Sequence, residues 1–298
     1  MDKLIHGLCA EDSVRVFAVT APQMIKDLQM LHDLSRVATA ALGRQTMMTA
    51  LMASDLKNED DKVTTIIKAD GPCRNMICTG KPGPMVKAYT AGPKEELLPR
   101  ADGKLDVAGY VGQGQLTVIR DLPVGDPYVG VCDLVSGEIA MDFAQYYTVS
   151  EQQPSLVYLG VRVDAISGEV RVAAGLMAQP LPNCPDEVLD ALQQRAPEIA
   201  QLTLRLDRGE AFDDIIEQLF DGLGFRTVKT FEPKLRCDCS RERIEKALIT
   251  IGKEELTDMI ERDGGAEVTC QFCNTAYRFN ADELNRLLYL ATEETIER

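Results

Sequence analysis

Four cysteines near the end of the chain constrain its fold more than any other feature. They form two tight pairs, C-D-C at 237–239 and C-Q-F-C at 270–273, with 30 residues between the pairs. Zinc prefers four soft ligands in a tetrahedron, with each thiolate sulfur at about 2.3 Å. Because the members of each pair are already local, bringing four sulfurs together costs little loop-closure entropy. We therefore predict one zinc ion held by Cys237, Cys239, Cys270 and Cys273; an iron–sulfur cluster, another metal and accidental spacing are the alternatives.

The residues around the pairs predict a small α+β domain over 236–298. Ser240 is expected to cap a helix that carries an apolar stripe up to Gly252. About 60 residues bury too little apolar surface to be stable alone, and a structural metal is a usual remedy. The other expected elements are a helix over 254–262, a hairpin of 266–269 with 275–279, and a last helix from Asp282.

Such a site can also act as a redox switch, because zinc thiolates can be oxidised to disulfides. Each pair can close on itself, Cys237 with Cys239 and Cys270 with Cys273. Disulfide formation removes the ligands, so the metal dissociates. The folding free energy that metal binding supplied, on the order of 10 kcal/mol, is then lost. A domain of this size has only a few kcal/mol of its own stability, so oxidation is expected to unfold it.

The first 178 residues predict a mixed α/β domain. Residues 14–20 alternate like a half-buried strand, and 22–57 predict one helix that is apolar on nearly all faces and hence central. The Gly-rich 109–114 precedes a strand and lacks a following Lys-Ser/Thr, which argues against a phosphate-binding loop. Further strands are expected at 63–69, 84–90, 116–120 and 128–135, and a hairpin at 157–164 with 169–174.

Residues 179–235 predict a helical region of a different character. Asp186 is a plausible N-cap, Pro197 is expected to break the first helix, and two further short amphipathic helices follow. Helices this short are marginal alone and need a surface on which to dock. The region is therefore either an ordinary helical subdomain or a detachable linker that covers apolar surface on the N-terminal domain.

The composition indicates which classes of partner the protein can bind and in which cellular compartment it is found. The 298 residues carry a formal net charge of −15, which repels phosphate backbones and anionic lipid heads. No run of 18 apolar residues and no signal peptide is apparent, so we expect a cytoplasmic protein that binds neither nucleic acid nor membrane. Nine cysteines in such a chain argue against a disulfide framework. The five scattered ones are expected to be small buried hydrophobes: Cys9, Cys73, Cys78, Cys132 and Cys184.

With these cysteine pairs, the sequence resembles a known family, the 33 kDa chaperonins, which are redox-regulated heat-shock holdases of bacteria. The resemblance covers essentially the whole chain, and the C-x-C with C-x-x-C spacing is its most specific part. The matching stretches are 41–44, 114–118, 150–154, 175–182, 237–243 and 269–274.

The resemblance implies an ATP-independent chaperone that is inactive when reduced and zinc-bound. Oxidation with unfolding stress would form the disulfides Cys237–Cys239 and Cys270–Cys273, release zinc and unfold the C-terminal domain and linker. Client-binding surface for unfolding proteins would then be exposed, and homodimers would form. The five scattered cysteines depart from this pattern, since they could form additional disulfides.

Two other functions remain as alternatives. A zinc-ribbon nucleic-acid binder is disfavoured because 237–298 holds eight Lys/Arg against fourteen Asp/Glu, a net charge of −6. A thiol–disulfide oxidoreductase is disfavoured because its C-x-x-C should open a helix after a strand, whereas 270–273 lies between two strand-like runs. With only His6 and His32 in the chain, no convincing catalytic set is present and we expect no enzymatic activity.

Overall fold

The computed structural model describes residues 1–123 and 125–296 and divides them into two compact units, Met1–Arg236 and Cys237–Arg298. The predicted α+β architecture is confirmed: a β-sheet domain with a central helix, a helical region, and a small C-terminal α+β unit. The expectation that 179–235 behaves as a separate linker stays a prediction. None of the helices within the described residues combines the length and apolar character needed to cross a membrane.

The described part of the first unit contains eleven strands and seven helices, numbered along the chain. The strands are β1 (Lys3–Cys9), β2 (Val14–Thr20), β3 (Lys62–Ala69), β4 (Asn75–Lys81), β5 (Met85–Thr90), β6 (Gly114–Asp121), β7 (Tyr128–Asp133), β8 (Leu156–Val163), β9 (Val170–Pro180), β10 (Arg226–Phe231) and β11 (Lys234–Leu235). The helices are α1 (Pro22–His32), α2 (Arg36–Ala53), α3 (Val107–Val111), α4 (Ala140–Val149), α5 (Asp186–Ile199), α6 (Leu202–Asp207) and α7 (Phe212–Leu219).

Two sheets enclose the central helix. One has the strand order β10-β1-β2-β9-β8 and the other β11-β5-β4-β3-β6-β7. All residues of α2 except Arg36 and Arg44 are buried, as its uniformly apolar sequence predicted. The predicted single helix over 22–57 is wrong, because Asp33 takes a left-handed conformation with φ 49° and ends α1. Ser35 then caps α2 by accepting a hydrogen bond from the Ala38 N–H at 3.2 Å.

Polar bonds fix how α2 sits against the six-stranded sheet. Gln45 Nε2 donates to the Thr65 carbonyl at 3.1 Å and to the Met76 carbonyl at 3.3 Å. The hydroxyls of Thr49 and Thr65 lie 2.8 Å apart, and Gln45, Thr49 and Thr65 are all fully buried. A buried polar group is costly unless it is bonded, so these bonds select one rotation of the helix about its axis.

Short helices cover the far face of the five-stranded sheet. The side chains of Ile215, Ile216 and Leu219 on α7 are fully buried against strand residues such as Val16 and Leu176. The apolar spacing of 212–220 predicted this helix, and burial supplies the stability that its length cannot. The segment therefore forms a second hydrophobic cluster, separate from the core around α2.

Two predictions about α5 are wrong in detail. Pro197 does not break the helix: it lies in the last turn of α5, where the loss of one backbone hydrogen bond disturbs little of the helix. Asp186 is the first helical residue, while Pro185 occupies the N-cap position in an extended conformation.

The other predicted strands are present, and the 157–174 hairpin is confirmed with β9 running on to Pro180. The sequence patterns did not predict the strands β1, β4, β10 and β11 or the helices α3 and α4. In β4 the buried positions are Met76, Cys78 and Gly80, so the alternation includes a glycine that resembles a turn residue. A Cβ at Gly80 would lie 2.6 Å from the Cβ of Ala53, which explains why glycine occupies this position beside α2.

His6 joins β1 to both its neighbours and to α2. Its Nε2 lies 2.5 Å from Ser54 Oγ, and its ring packs edge-on against Phe17 and Phe231 at 4.5 and 5.0 Å. Burial, chiefly, lowers the pKa of His6 from 6.5 to about 4, with smaller contributions from Lys229 and Arg15. The folded chain therefore keeps this imidazole neutral at pH values where an unfolded chain would protonate it.

This depressed pKa predicts a pH-dependent stability. Above pH 6.5 His6 is neutral in both states, whereas between pH 6.5 and 4 only the unfolded state takes up the proton, so stability falls over that window. His6→Gln, which can still bond to Ser54, should lose less unfolding free energy than the natural chain over this range. Chemical denaturation of both proteins at a series of pH values measures the difference; parallel curves would contradict the assignment.

Candidate metal centre

The C-terminal unit places its cysteines at two chain turns that face each other. Its elements are α8 (Arg241–Ile251), α9 (Lys253–Asp263), β12 (Gly265–Thr269), β13 (Ala276–Asn280) and α10 (Ala281–Ile296), as the sequence predicted. Cys237 and Cys239 precede α8, whose start is capped by Ser240. Cys270 and Cys273 lie in the tight turn between β12 and β13, where Asn274 N–H donates to the Cys270 carbonyl at 2.8 Å.

The four predicted ligand residues come together. The sulfurs of Cys237, Cys239, Cys270 and Cys273 all lie within 4.8 Å of one another. Cys237 Sγ is 3.8 Å from Cys270 Sγ, and Cys239 Sγ is 3.3 Å from Cys273 Sγ. A tetrahedron with metal–sulfur bonds of about 2.3 Å has edges of about 3.8 Å. The cluster could therefore hold a metal ion, and an all-sulfur donor set suits a soft or borderline cation in a closed structural site.

Two residues that the sequence patterns did not single out support these sulfurs. The Tyr277 hydroxyl donates to Cys239 Sγ at 3.1 Å, and the Thr275 hydroxyl lies 3.2 Å from Cys273 Sγ. They follow Cys273 at alternate positions, so the strand after the C-x-x-C turn could have indicated them. Such outer contacts orient ligands and tune their basicity.

The thiols differ in acidity. Burial raises the pKa of Cys237 and of Cys270. At Cys273 burial also opposes ionisation, but hydrogen bonds from Thr275 and the neighbouring thiols outweigh it and lower the pKa to about 7. A cation at the centre of the cluster favours the thiolate form of all four, so metal binding and proton release are coupled here.

The nearby arginines make ion pairs and ring contacts within the unit rather than forming a free basic surface. Arg243 donates to the Asp238 carbonyl at 2.9 Å and pairs with its carboxylate at 2.6 Å. Arg241 lies over the Phe279 ring at 4.3 Å and pairs with Glu283 at 2.7 Å. These contacts connect α8 with β13 and α10.

The apolar core of this unit is small. Its buried cluster consists of Leu248, Leu256, Phe279, Leu284 and Leu287, with partly buried side chains around it. These five buried residues, the ones found among the described side chains, provide a limited share of the stability that ordering about 60 residues requires. The unit's fold therefore depends on whatever joins the cysteines.

The five scattered cysteines are free thiols. Cys9, Cys73, Cys78 and Cys132 are buried as predicted, and burial raises their pKa values to about 11, 12, 12 and 11. Such groups stay protonated near neutral pH and react slowly with oxidants. Cys184 departs from the prediction because it is only partly buried.

Comparison with known proteins agrees with this geometry. The sequence model described as Hsp33 protein matches residues 2–280. The chain belongs to the Hsp33 family. The match includes both cysteine pairs and ends where α10 begins.

Relatives within the Hsp33 family match along nearly their whole length. The 33 kDa chaperonin of Clostridioides difficile is 40% identical over 96% of this chain and 98% of its own, and that of Alkaliphilus metalliredigens is 39% identical over 96% and 98%. The crystal structure of the 33 kDa chaperonin of Thermotoga maritima superposes with a TM-score of 0.88 at 34% identity, covering 98% of this chain and 99% of that one. The chain is therefore a member of a heat-shock chaperone family.

Removing one sulfur ligand tests the centre. In Cys270→Ser a hard hydroxyl replaces a thiolate, so we expect bound metal to fall from one equivalent to near zero and 237–296 to lose its helical signal. Metal analysis of reduced protein and far-UV circular dichroism measure both. Cys132→Ser removes a cysteine elsewhere and should retain the metal; an ordered, metal-loaded Cys270→Ser protein would contradict the assignment.

Proposed function

We propose that this protein is a redox-regulated, ATP-independent holdase of the cytoplasm. The reduced form holds one zinc ion on Cys237, Cys239, Cys270 and Cys273 and is inactive. Oxidation forms the disulfides Cys237–Cys239 and Cys270–Cys273, releases the zinc and unfolds the C-terminal domain and the linker 179–235. The observation that supports this most directly is the four-sulfur cluster in a unit with so small an apolar core.

When bound, zinc supplies a closed four-coordinate link between the chain before α8 and the β12–β13 turn. The sulfurs that lie 3.8 and 3.3 Å apart belong to different pairs, as packing around a central ion requires. A disulfide between the pairs would keep the two turns joined. A disulfide within each pair severs that link, so only the within-pair connectivity unfolds the unit.

The loss of order can pass along the backbone into the first unit. One residue before Cys237, the Arg236 N–H donates to the Val86 carbonyl at 2.8 Å, and Lys234 N–H donates to Pro84 at 3.1 Å. These bonds attach the two-residue edge strand β11 and the residue after it to β5. A strand this short opens readily by local unfolding. Beyond it lies β10, the exposed edge strand of the five-stranded sheet.

The surface available to clients is the sheet face beneath α5–α7. It presents apolar side chains that are buried in the closed state: Ile5, Val14, Val16, Ala18, Ala174, Leu176 and Ala178. Uncovering each large side chain costs about 1.5–3 kcal/mol, which a client's own apolar segments can recover. Unfolding proteins are therefore the partners we propose, and two uncovered copies can associate as a homodimer through the same chemistry.

The geometry disfavours a thioredoxin-like enzyme. The C-Q-F-C turn connects two antiparallel strands and does not open a helix. Its sulfurs lie beside those of the other pair, an arrangement that suits metal binding better than turnover of substrate disulfides. A stoichiometric sensor is the function that this arrangement supports best.

Oxidant titration tests the proposal. Hydrogen peroxide at mildly elevated temperature should release one zinc per chain, consume the four thiols of Cys237, Cys239, Cys270 and Cys273 and reduce helical content over the same range. Suppression of client aggregation should rise in step, and dithiothreitol should reverse it. Zinc release is followed with a chromogenic chelator and disulfides by peptide mapping; equal chaperone activity before and after oxidation would refute the switch.

Residues 179–235, whose helices α5–α7 lie over the five-stranded sheet, form a segment that we call the cover. An ion-pair cluster attaches the cover to the sheet, and its removal should ease activation. Asp207 on α6, 12% exposed, accepts from Arg162 at 3.2 Å and pairs with Arg171 at 2.9 Å. Asp207→Asn keeps the shape and removes the charge, so we expect a loss of about 1–2 kcal/mol in cover stability and chaperone activity at a lower temperature in the oxidised protein.

Asp213→Asn is the matched control for this change. Its pair with Lys3 at 2.6 Å is formed by side chains that are 34% and 53% exposed, and such pairs contribute about 0–1 kcal/mol. The temperature at which client aggregation is suppressed is measured for both variants. Identical temperatures for Asp207→Asn and the natural chain would show that this ion pair does not fasten the cover.

A further inference from the structure

Two of the scattered cysteines, Cys9 and Cys184, border the same apolar cluster where the cover begins. Cys9 ends β1 and pairs with Val14, which in turn pairs with Pro180 at the end of β9. From Pro180 the chain turns back over this edge. Leu181 N–H donates to the Ser13 carbonyl at 2.8 Å, and Cys184 N–H donates to the Leu181 carbonyl at 3.0 Å.

Cys184 thereby lies against the β1–β2 turn that comes after Cys9. Its Sγ is 3.7 Å from Ser13 Oγ, and it packs on the apolar cluster that includes Cys9. The two thiols differ in access, since Cys9 is 1% exposed while Cys184 is partly open to solvent. Burial, and next the nearby Cys184 thiol, raise the pKa of Cys9 to about 11.

The turn between β1 and β2 has a strained backbone and is held in place by hydrogen bonds to the cover. Ala10, Glu11 and Asp12 have φ values of 51°, 52° and 64°, a run of left-handed residues without glycine. Ala10 N–H donates to the Leu223 carbonyl at 2.6 Å, and Arg226 Nη2 donates to both Asp12 carboxylate oxygens at 2.8 Å. Both supports come from 179–235, so departure of that segment frees the turn and uncovers Cys9.

We propose that Cys9 and Cys184 form a third, peroxide-driven disulfide once the cover has left the five-stranded sheet. Peroxide oxidises the accessible Cys184 thiol to a sulfenic acid and is reduced to water. The Cys9 thiol then attacks that sulfur, the S–S bond forms, and the sulfenic oxygen leaves as a second water. Two thiols lose two electrons in total to one peroxide.

This inference rests on the proposed function, since the cover must leave the sheet first. It also limits how much of the cover can detach. The disulfide ties residue 184 to the end of β1, so 180–184 stay attached to the sheet while residues beyond 184 detach. The hinge of the cover is thereby fixed at the start of α5.

The test oxidises the full chain with hydrogen peroxide at mildly elevated temperature, blocks free thiols by alkylation and maps disulfides by mass spectrometry. We expect a Cys9–Cys184 cross-linked peptide that appears after zinc release and is absent from Cys184→Ser. Cys132→Ser should retain it. Zinc release should be unchanged in Cys184→Ser, whereas hydrogen exchange at 10–13 and 180–184 should be at least tenfold faster in that oxidised variant.

A second arm separates this inference from the zinc switch. Ile216→Asp places a charge in the apolar cluster and displaces α7 whether or not zinc leaves, so peroxide should form the Cys9–Cys184 bond in this variant without prior metal loss. Alkylated Cys9 and Cys184 in an open, oxidised protein, or Cys184 paired with another cysteine, would overturn the inference. Failure of zinc release alone would count against the proposed function and not against this pair.

Discussion

The convergence of four sulfurs within 4.8 Å is the constraint on which the C-terminal unit depends. Among the side chains that the structure describes, the unit's helices and hairpin contribute five buried residues to a common core. Ion pairs such as Arg241 with Glu283 align the helices and the hairpin, but their side chains are 39% and 40% exposed, so each pair contributes little stability by itself. Joining the two cysteine turns is therefore what converts three marginal helices and a hairpin into one folded body.

The first unit contains two apolar layers that are built differently. The core around α2 buries side chains from both sheets and is closed on all sides. The cover formed by 179–235 is made of helices of 14, 6 and 8 residues that rely on one sheet face for their order. Hydrophobic packing thus forms two separate clusters in the same unit, one around α2 and one beneath the short helices.

Much of this arrangement could be predicted from the sequence, and the failures have physical causes. The cysteine spacing was sufficient to predict the four-sulfur cluster, and the alternation of 14–20 was sufficient to predict β2, because both signals are local. The break at Asp33 was missed because a left-handed residue other than glycine leaves little trace in composition. Strand β4 was missed because Gly80 is required by the close approach of α2, which only the tertiary structure reveals.

The buried bonds from Gln45 and Thr49 to β3 and β4 have a consequence for the uncovered protein. A helix that is apolar on nearly every side could pack in several rotations about its axis with similar energy. A domain that has lost its outer helices would then lose its fixed side-chain packing. An amide that finds its acceptors at only one azimuth excludes those alternatives. The exposed sheet would therefore present its apolar side chains to client proteins at fixed positions on a rigid scaffold.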